Sequence, residues 1–94
     1  MVENTMIHGK TTSGFEFKID PDVVRDMEFI ELAAGVEENG LLLPKMIECV
    51  LGVKQKKALY DHVRNKKGRV MIDAINDEVK DIFDVLNTNS ETKN

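Results

Sequence analysis

The residue types that most often carry out chemistry are few and scattered in this 94-residue chain. His8 lies close to the hydroxyl side chains of Thr11-Thr12-Ser13, but a nucleophile needs a positioned base and an orienting group, which this spacing does not supply. His62 follows Asp61 directly, so on a helix the two side chains diverge by about 100°. We therefore predict a surface histidine at position 62 and no catalytic site.

Metal and cofactor sites are not indicated by the remaining candidates. Cys49 is the only cysteine, which excludes an internal disulfide, and its apolar surroundings predict a buried structural thiol. The aspartates at positions 20, 22 and 26 do not match the spacing of a calcium loop. Gly9-Lys10-Thr11 lacks the earlier glycine of a phosphate-binding loop, and a strand pattern follows it where a helix should begin. We expect neither a metal nor a cofactor.

Charge is distributed unevenly along the chain. Residues 54–69 contain seven basic residues and one acidic residue, Asp61, for a net charge of +6, whereas the whole chain carries −4. The rest of the chain therefore carries −10. One interpretation is that this uneven charge steers a partner, or a second subunit, towards the chain. The other is that it is simply a solvated helix end, where the helix dipole favours basic residues.

Length and composition indicate one small domain. The hydrophobic fraction of 41% and the charged fraction of 32% are typical of a folded globular chain. No stretch approaches the roughly 20 apolar residues of a membrane helix, and no signal peptide pattern is present. We expect residues 1–87 to form a single domain without membrane contact, followed by a disordered polar tail at residues 88–94.

A β-hairpin is predicted for residues 5–19. Phe15, Phe17 and Ile19 alternate with polar residues, which places the three apolar side chains on one sheet face. Asp20-Pro21 then predicts the start of a helix, because Asp caps free amides and Pro suits the first turn. Its core-facing stripe is predicted at Val23, Met27, Ile30 and Ala34.

Three further helices are predicted within residues 20–87. One begins near Pro44 and ends at Gly52, one covers residues 54–66, and one follows Asp73. The last carries an apolar stripe at Ile75, Val79, Ile82 and Leu86. The predicted fold is mostly α, a small α+β arrangement with an N-terminal β-hairpin packed on about four short helices.

Several apolar residues are candidates for contact with a partner. Leu41, Leu42 and Leu43 are consecutive and cannot all face one core, and Phe29 lies opposite the predicted stripe. Met46 suits an adaptable contact surface. These residues belong to the monomer core, to a seam between identical subunits, or to a groove that accepts an amphipathic helix of a partner.

A helix-turn-helix regulator is the alternative interpretation of the middle of the chain. The turn at Gly52 precedes a helix rich in basic residues, including Lys56, Lys57 and Arg64, as a DNA-recognition helix requires. Glu48 and Asp61 disagree, because that motif places small or apolar side chains there. Nucleic acid is therefore not the expected partner.

The chain resembles a family of small phage tail assembly chaperones from Gram-positive hosts. The resemblance spans roughly residues 9–87 and lies in the order of several short motifs. These are Thr11 to Phe17 followed by Ile19-Asp20, Asp26-Met27-Glu28-Phe29, Leu42-Leu43-Pro44, Leu51-Gly52, Lys56 to Arg64, Gly68-Arg69-Val70, and the helix from Ile75 to Leu86.

The resemblance implies a function without catalysis. Members of this family coat the helical tape-measure protein, keep it soluble, help tail tube protein polymerise around it, and are absent from the finished virion. It further implies the cytoplasm of the bacterial host as the location. The uneven charge along the chain favours a homo-oligomer. The candidate partner contacts are Phe29, Leu41–Leu43, Met46, Lys56, Lys57 and Arg64. Many members also exist as a longer, frameshifted form. A small subunit or antitoxin-like interaction protein with another partner remains a third interpretation.

Overall fold

The computed structural model describes residues 6–91 and has a mostly α architecture. Strands β1 (Ile7–Lys10) and β2 (Glu16–Ile19) form a two-stranded antiparallel sheet, followed by helices α1 (Met27–Val36), α2 (Leu43–Val63) and α3 (Ile72–Glu91). Short 3-10 helices at Pro21–Arg25 and Gly40–Leu42 precede α1 and α2. The predicted mostly α class is confirmed, but the described residues form three α-helices and not about four.

The hairpin pairs Ile7 with Ile19 and Gly9 with Phe17. Phe15, Phe17 and Ile19 are all buried, so the alternation predicted for this segment is confirmed. Gly9 has a specific role, because a Cβ atom there would lie 2.6 Å from Cζ of Phe17. The Phe17 ring thus covers the glycine backbone. A Cβ atom at Gly9 would also lie 2.9 Å from Cγ1 of Val85, so the sheet packs directly on α3 at this point. Thr5, predicted as the first strand residue, lies outside the described residues.

Two aspartate caps start two separate helices where one was predicted. Asp20 accepts a hydrogen bond from the Asp22 backbone N–H at 2.9 Å and begins the first 3-10 helix. Asp26 has an extended backbone and accepts from the Glu28 N–H at 2.8 Å, which begins α1. The second cap interrupts the helical path, because an N-cap residue leaves the helical conformation to reach the free amides. The predicted continuous helix from Pro21 is therefore wrong.

This interruption changes which face of α1 is buried. Phe29 is 7% exposed, and its ring meets Phe83 edge-on at 5.9 Å between centroids. Met27 is 63% exposed, Ile30 is 43% exposed, and Ala34 is also exposed. The predicted core-facing stripe is therefore wrong at Met27, Ile30 and Ala34, although Val23 does pack against the core. The expectation that Phe29 is free for an interface is also wrong. We call Met27, Ile30 and Ala34 the outward stripe.

Helix α2 is one element with a sharp break at Gly52. The glycine adopts φ 83° and ψ 166°, a conformation that is essentially restricted to glycine. The segments predicted as the second and third helices therefore meet directly at Gly52, without a connecting loop, which explains the lower helix number. The first arm buries one face, formed by Leu43, Met46, Ile47, Val50 and Leu51.

Helix α3 begins at Ile72, one residue before the predicted cap, and continues to Glu91. Its predicted stripe is confirmed: Ile75, Ile82 and Leu86 are at most 4% exposed and Val79 is half-buried. The predicted helix end at Leu86 is wrong, because residues 88–91 continue the helical backbone. The predicted disorder of residues 92–94 falls outside the described part of the chain.

Candidate partner-binding site

An open apolar groove of about 300 Å³ lies between the start of α2, its second arm and the start of α3. Two arms of α2 contribute to it because the break at Gly52 redirects the chain between Leu43 and Tyr60. The residues that line the groove are Gly40, Leu41, Leu43, Pro44, Tyr60, Val70, Ile72 and Ile75. We refer to this feature below as the groove.

The three consecutive leucines divide between the groove and the protein interior. Asn39 accepts a hydrogen bond from the Leu41 N–H at 3.1 Å and starts the 3-10 turn, which leaves Leu41 86% exposed. Leu42 is half-buried, with Cδ1 only 2.8 Å from where a Cβ atom at Gly35 would lie. Leu43 is 8% exposed and forms part of the groove floor. The expectation that at least one leucine is exposed is confirmed.

Other apolar side chains extend the exposed surface at the groove. Ile72 is 59% exposed and lines the groove, and its neighbour Met71 is 50% exposed. Side chains of this size at such exposure normally mark a contact surface when they cluster. Local spacing in the sequence does not group Tyr60 and Ile75 with this surface, because they lie on two different helices.

Basic residues lie at one edge of the groove. Lys56 is partly buried, with Nζ 3.2 Å from the Glu48 carboxylate and 5.7 Å from the centroid of the Tyr60 ring. Tyr60 and Val70 both line the groove, and the segment that joins them carries the basic residues from Arg64 to Arg69. We call residues 64–69 the basic loop.

Hydrogen bonds hold the basic loop in one shape. The Asn65 side chain accepts from the N–H groups of Lys67 at 2.9 Å and Arg69 at 3.0 Å. The Arg64 guanidinium donates to the Gly68 carbonyl at 2.9 Å and to the Asp61 carboxylate at 3.0 Å. The Arg64 hydrogen bond, supported by Lys57, holds the pKa of Asp61 below its ordinary value. Lys66, Lys67 and Arg69 remain exposed.

The predicted contact residues separate into three groups. Leu41 and Leu43 line the groove, and Lys56 reaches it through Tyr60. Lys57 and Arg64 form ion pairs with Asp61, the residue that follows Tyr60 in the sequence. Phe29 and Met46 are buried in the core, at 7% and 4% exposed, so they are corrected to structural residues. Leu42 is half-buried against Gly35 of α1 and does not line the groove.

A polar cluster between the hairpin turn and the helices was missed by sequence reasoning. The Ser13 hydroxyl donates to Oε2 of Glu78 at 2.7 Å and lies 2.9 Å from Nε2 of His62 and 3.2 Å from the Thr11 hydroxyl. Glu78 is only 4% exposed. The participants are 49 and 65 residues apart in sequence, so no local pattern brings them together.

This cluster has the wrong order for a nucleophilic triad. The Ser13 hydroxyl donates its hydrogen bond to the Glu78 carboxylate, so its oxygen can only accept from His62, and His62 is not placed as its general base. His62 is exposed, as predicted. The backbone N–H of Thr12 also donates a hydrogen bond to the Asp81 carboxylate at 2.8 Å. This hydrogen bond is the main reason why the pKa of Asp81 lies below its ordinary value. The cluster therefore fastens the hairpin turn to α3.

Comparisons of the chain with protein-family models, with curated proteins and with solved structures found no match in any of the three. Within residues 6–91, none of the helices combines the length and the apolar character needed to cross a bilayer. The same part of the chain brings no three metal-ligating side chains into one group. The groove and the basic loop are accordingly the features from which a function can be inferred.

Proposed function

We propose that this chain is a non-catalytic tail assembly chaperone of a phage or prophage of Gram-positive bacteria. It binds the tape-measure protein in the host cytoplasm, helps tail tube protein assemble around it, and leaves before the virion is complete. The order of motifs across residues 9–87 supports this class of function. The observation that carries the proposal is the open apolar groove with Leu41 86% exposed at its rim.

The groove has the features needed to hold one amphipathic helix. Such helices present apolar side chains at positions i, i+3 or i+4, and i+7 to an apolar cleft. Leu43 and Ile75 supply a buried floor, while Leu41 and Ile72 supply exposed walls that lose contact with water when a helix binds. Burial of a Leu-sized side chain is worth about 1.5–3 kcal/mol, so these walls supply a useful part of the binding free energy.

The basic loop adds selectivity for the partner. Lys66, Lys67 and Arg69 are exposed on the segment that joins the lining residues Tyr60 and Val70, and they favour a helix whose flanks are acidic. An isolated tape-measure chain exposes long apolar helical stripes that would aggregate in water, and covering them segment by segment keeps them in solution.

The DNA-binding interpretation is less well supported by the geometry. Two of the three basic residues suggested for DNA, Lys57 and Arg64, are paired with Asp61, and Lys56 is paired with Glu48. Contact with phosphates would have to replace these pairs. Glu48 and Asp61 both lie on the surface, whereas the helix-turn-helix motif places packed side chains at these positions.

The decisive experiment is co-expression with the tape-measure protein of the same genome, followed by affinity purification at low and high salt. We expect a soluble complex that survives high salt, because apolar contacts do not weaken as salt rises. Leu41→Glu should abolish capture, since it places a charge on the groove wall. Val53→Glu is the matched control: Val53 is 67% exposed and lies outside the groove.

Two results would contradict the proposal. One is an insoluble tape measure with no co-purification, by this form and by a longer frameshifted form. The other is tight binding of duplex DNA whose affinity falls steeply with salt, because released counterions are the signature of phosphate contacts. Equal loss of capture in Leu41→Glu and Val53→Glu would remove the groove from the mechanism.

A further inference from the structure

The second arm of α2, residues 53–63, is held against the hairpin along one helix face. Gln55, Leu59 and His62 share that face, because they are four and seven residues apart, which spans two turns and about 10 Å. Leu59 is 0% exposed. At the far end of the face, the His62 Nε2 atom lies 2.9 Å from the Ser13 hydroxyl in the hairpin turn.

Gln55 joins three elements through one side-chain amide. Its Nε2 atom donates to the carbonyl of Lys18 in β2 at 2.7 Å and to the carbonyl of Leu51, the last residue before the break, at 2.8 Å. Its Oε1 atom accepts from the Lys18 backbone N–H at 2.8 Å. The amide therefore binds both backbone groups of Lys18, as a neighbouring strand would at the edge of β2. It links the hairpin to both arms of α2 at the point where the helix breaks.

The break itself does little to fix the angle between the two arms. A Cβ atom at Gly52 would have no other atom within 4 Å, so no neighbouring group is packed against that side of the glycine. Glycine also has the widest range of backbone angles of any residue. Domain and segment motions are absorbed at a few such positions. The contacts of the second arm with the hairpin must therefore set its direction.

The groove depends on that direction because both arms line it. Tyr60 of the second arm lines the groove, and so do Leu43 and Pro44 of the first arm. We propose that the second arm is a lever hinged at Gly52, and that the hairpin fixes its position through Gln55 and so holds the groove at one width. Gln55 does not line the groove, so it is a positioning residue.

This inference rests on the proposed function for its use, although it concerns the free chain. A groove whose walls are already fixed binds a helix without the entropic cost of ordering those walls. The hairpin thereby contributes to binding from a place that the partner does not touch.

Tyr60 makes the position of the lever measurable, because it is the only tyrosine of a chain without tryptophan. The first experiment measures quenching of its fluorescence by acrylamide in the full chain. Gln55→Leu removes all three hydrogen bonds at similar size and helix propensity. Gln55→Glu keeps the acceptor but turns an oxygen towards the carbonyls of Lys18 and Leu51. Both variants should increase the quenching of Tyr60, since the released arm exposes the groove wall.

The matched control is Lys54→Leu. Lys54 is exposed on the same arm and has no hydrogen bond or ion pair within residues 6–91, so its replacement should leave Tyr60 quenching unchanged. Unchanged quenching in both Gln55 variants overturns the proposal, and so does an equal increase in Lys54→Leu.

Native-state hydrogen exchange separates a released arm from a general loss of stability. In Gln55→Leu, the Lys18 amide and the amides of the second arm should exchange on the order of tenfold faster, because opening of the arm no longer breaks these hydrogen bonds. Amides of the first arm should exchange as in the unmodified chain. Equal acceleration in both arms overturns the lever, since it shows that Gln55 only stabilises the whole fold.

The outcome is separable from that of the tape-measure experiment, because neither measurement uses a partner. If the unmodified chain fails to capture the tape measure, the proposed function fails and the lever is still decided by Tyr60 quenching and hydrogen exchange. If capture succeeds, Gln55→Leu should weaken it and Lys54→Leu should not. Unchanged capture in Gln55→Leu would contradict the role of the hairpin in holding the groove.

Discussion

Replacement of Ser13 by alanine should destabilise the protein, because it removes the hydrogen-bond donor to the buried carboxyl group of Glu78. The Glu78 side chain is 4% exposed, and its Oε1 atom is buried without a hydrogen-bond partner in the described part of the chain. Its Oε2 atom accepts from Ser13 at 2.7 Å. Ser13→Ala removes that donor and leaves both carboxyl oxygens unpaired in the interior.

The expected cost follows from this arrangement. A buried polar group left without a partner costs about 1–3 kcal/mol, and charged groups cost more. Ser13 itself is exposed, so the loss of its hydroxyl has little direct effect. We therefore expect the free energy of unfolding to fall by about 1–3 kcal/mol in Ser13→Ala, nearly all of it arising at Glu78.

A double-mutant cycle in urea, followed by far-ultraviolet circular dichroism, isolates this term. Glu78→Leu replaces the buried carboxyl by an apolar side chain and should be neutral or stabilising, since both polar oxygens leave the interior together. In the Glu78→Leu background, Ser13→Ala should then have almost no effect. If Ser13→Ala lowers the free energy of unfolding equally in the two backgrounds, to within about 0.5 kcal/mol, its cost does not arise from the hydrogen bond between Ser13 and Glu78.

Three further predictions concern the α2 break, the hairpin turn and the thiol. Gly52→Ala should lower the free energy of unfolding by about 1–3 kcal/mol, because its positive φ disfavours any Cβ atom. Gly40→Ala is the matched control in urea unfolding, since it too has open space for a Cβ atom but no positive φ, and equal costs would contradict the strain argument. The lowered pKa of Asp81 contributes stability that is present above its ordinary pKa of 3.8 and is lost as the pH falls through the lower folded value. Asp81→Asn should therefore flatten the acid dependence of the urea midpoint below about pH 4, and Asp77→Asn, an exposed change on the same helix, should not. Burial, with nearby acidic side chains, raises the pKa of Cys49, so its alkylation at neutral pH should be slower than that of free cysteine and should accelerate on unfolding; equal rates in the folded and free thiols would contradict this.

Periodicity predicted the elements whose contacts lie on one uninterrupted face. The alternation of Phe15, Phe17 and Ile19 and the stripe of α3 were both confirmed. Each of these segments has one dominant apolar face and few competing caps, so local spacing was sufficient. The sequence also predicted that a helix ends at Gly52. The helical path does break there, although the two arms of α2 are joined directly at the glycine.

The spacing of apolar residues failed to predict the buried face of α1, because two capping residues of equal strength compete in this segment. Asp20 and Asp26 are both good caps, and the second one turns the following helix so that Phe29 faces inward and Met27 outward. The groove could not be predicted for a different reason, because Leu41, Tyr60 and Ile72 come from three elements that only the tertiary fold brings together. The same holds for the contact of Ser13 with Glu78.

The attachment of the hairpin has a consequence for the order of events during synthesis. A two-stranded hairpin is marginal by itself, and the partners of its turn, at positions 62, 78 and 81, are translated much later. Thr12 and Asp81 are 69 residues apart, so at about 5–20 residues per second a ribosome needs roughly 3–14 s to supply the second partner after the first. Throughout that interval the nascent hairpin lacks α3, so a segment made before the helices is among the last to reach its full set of native contacts.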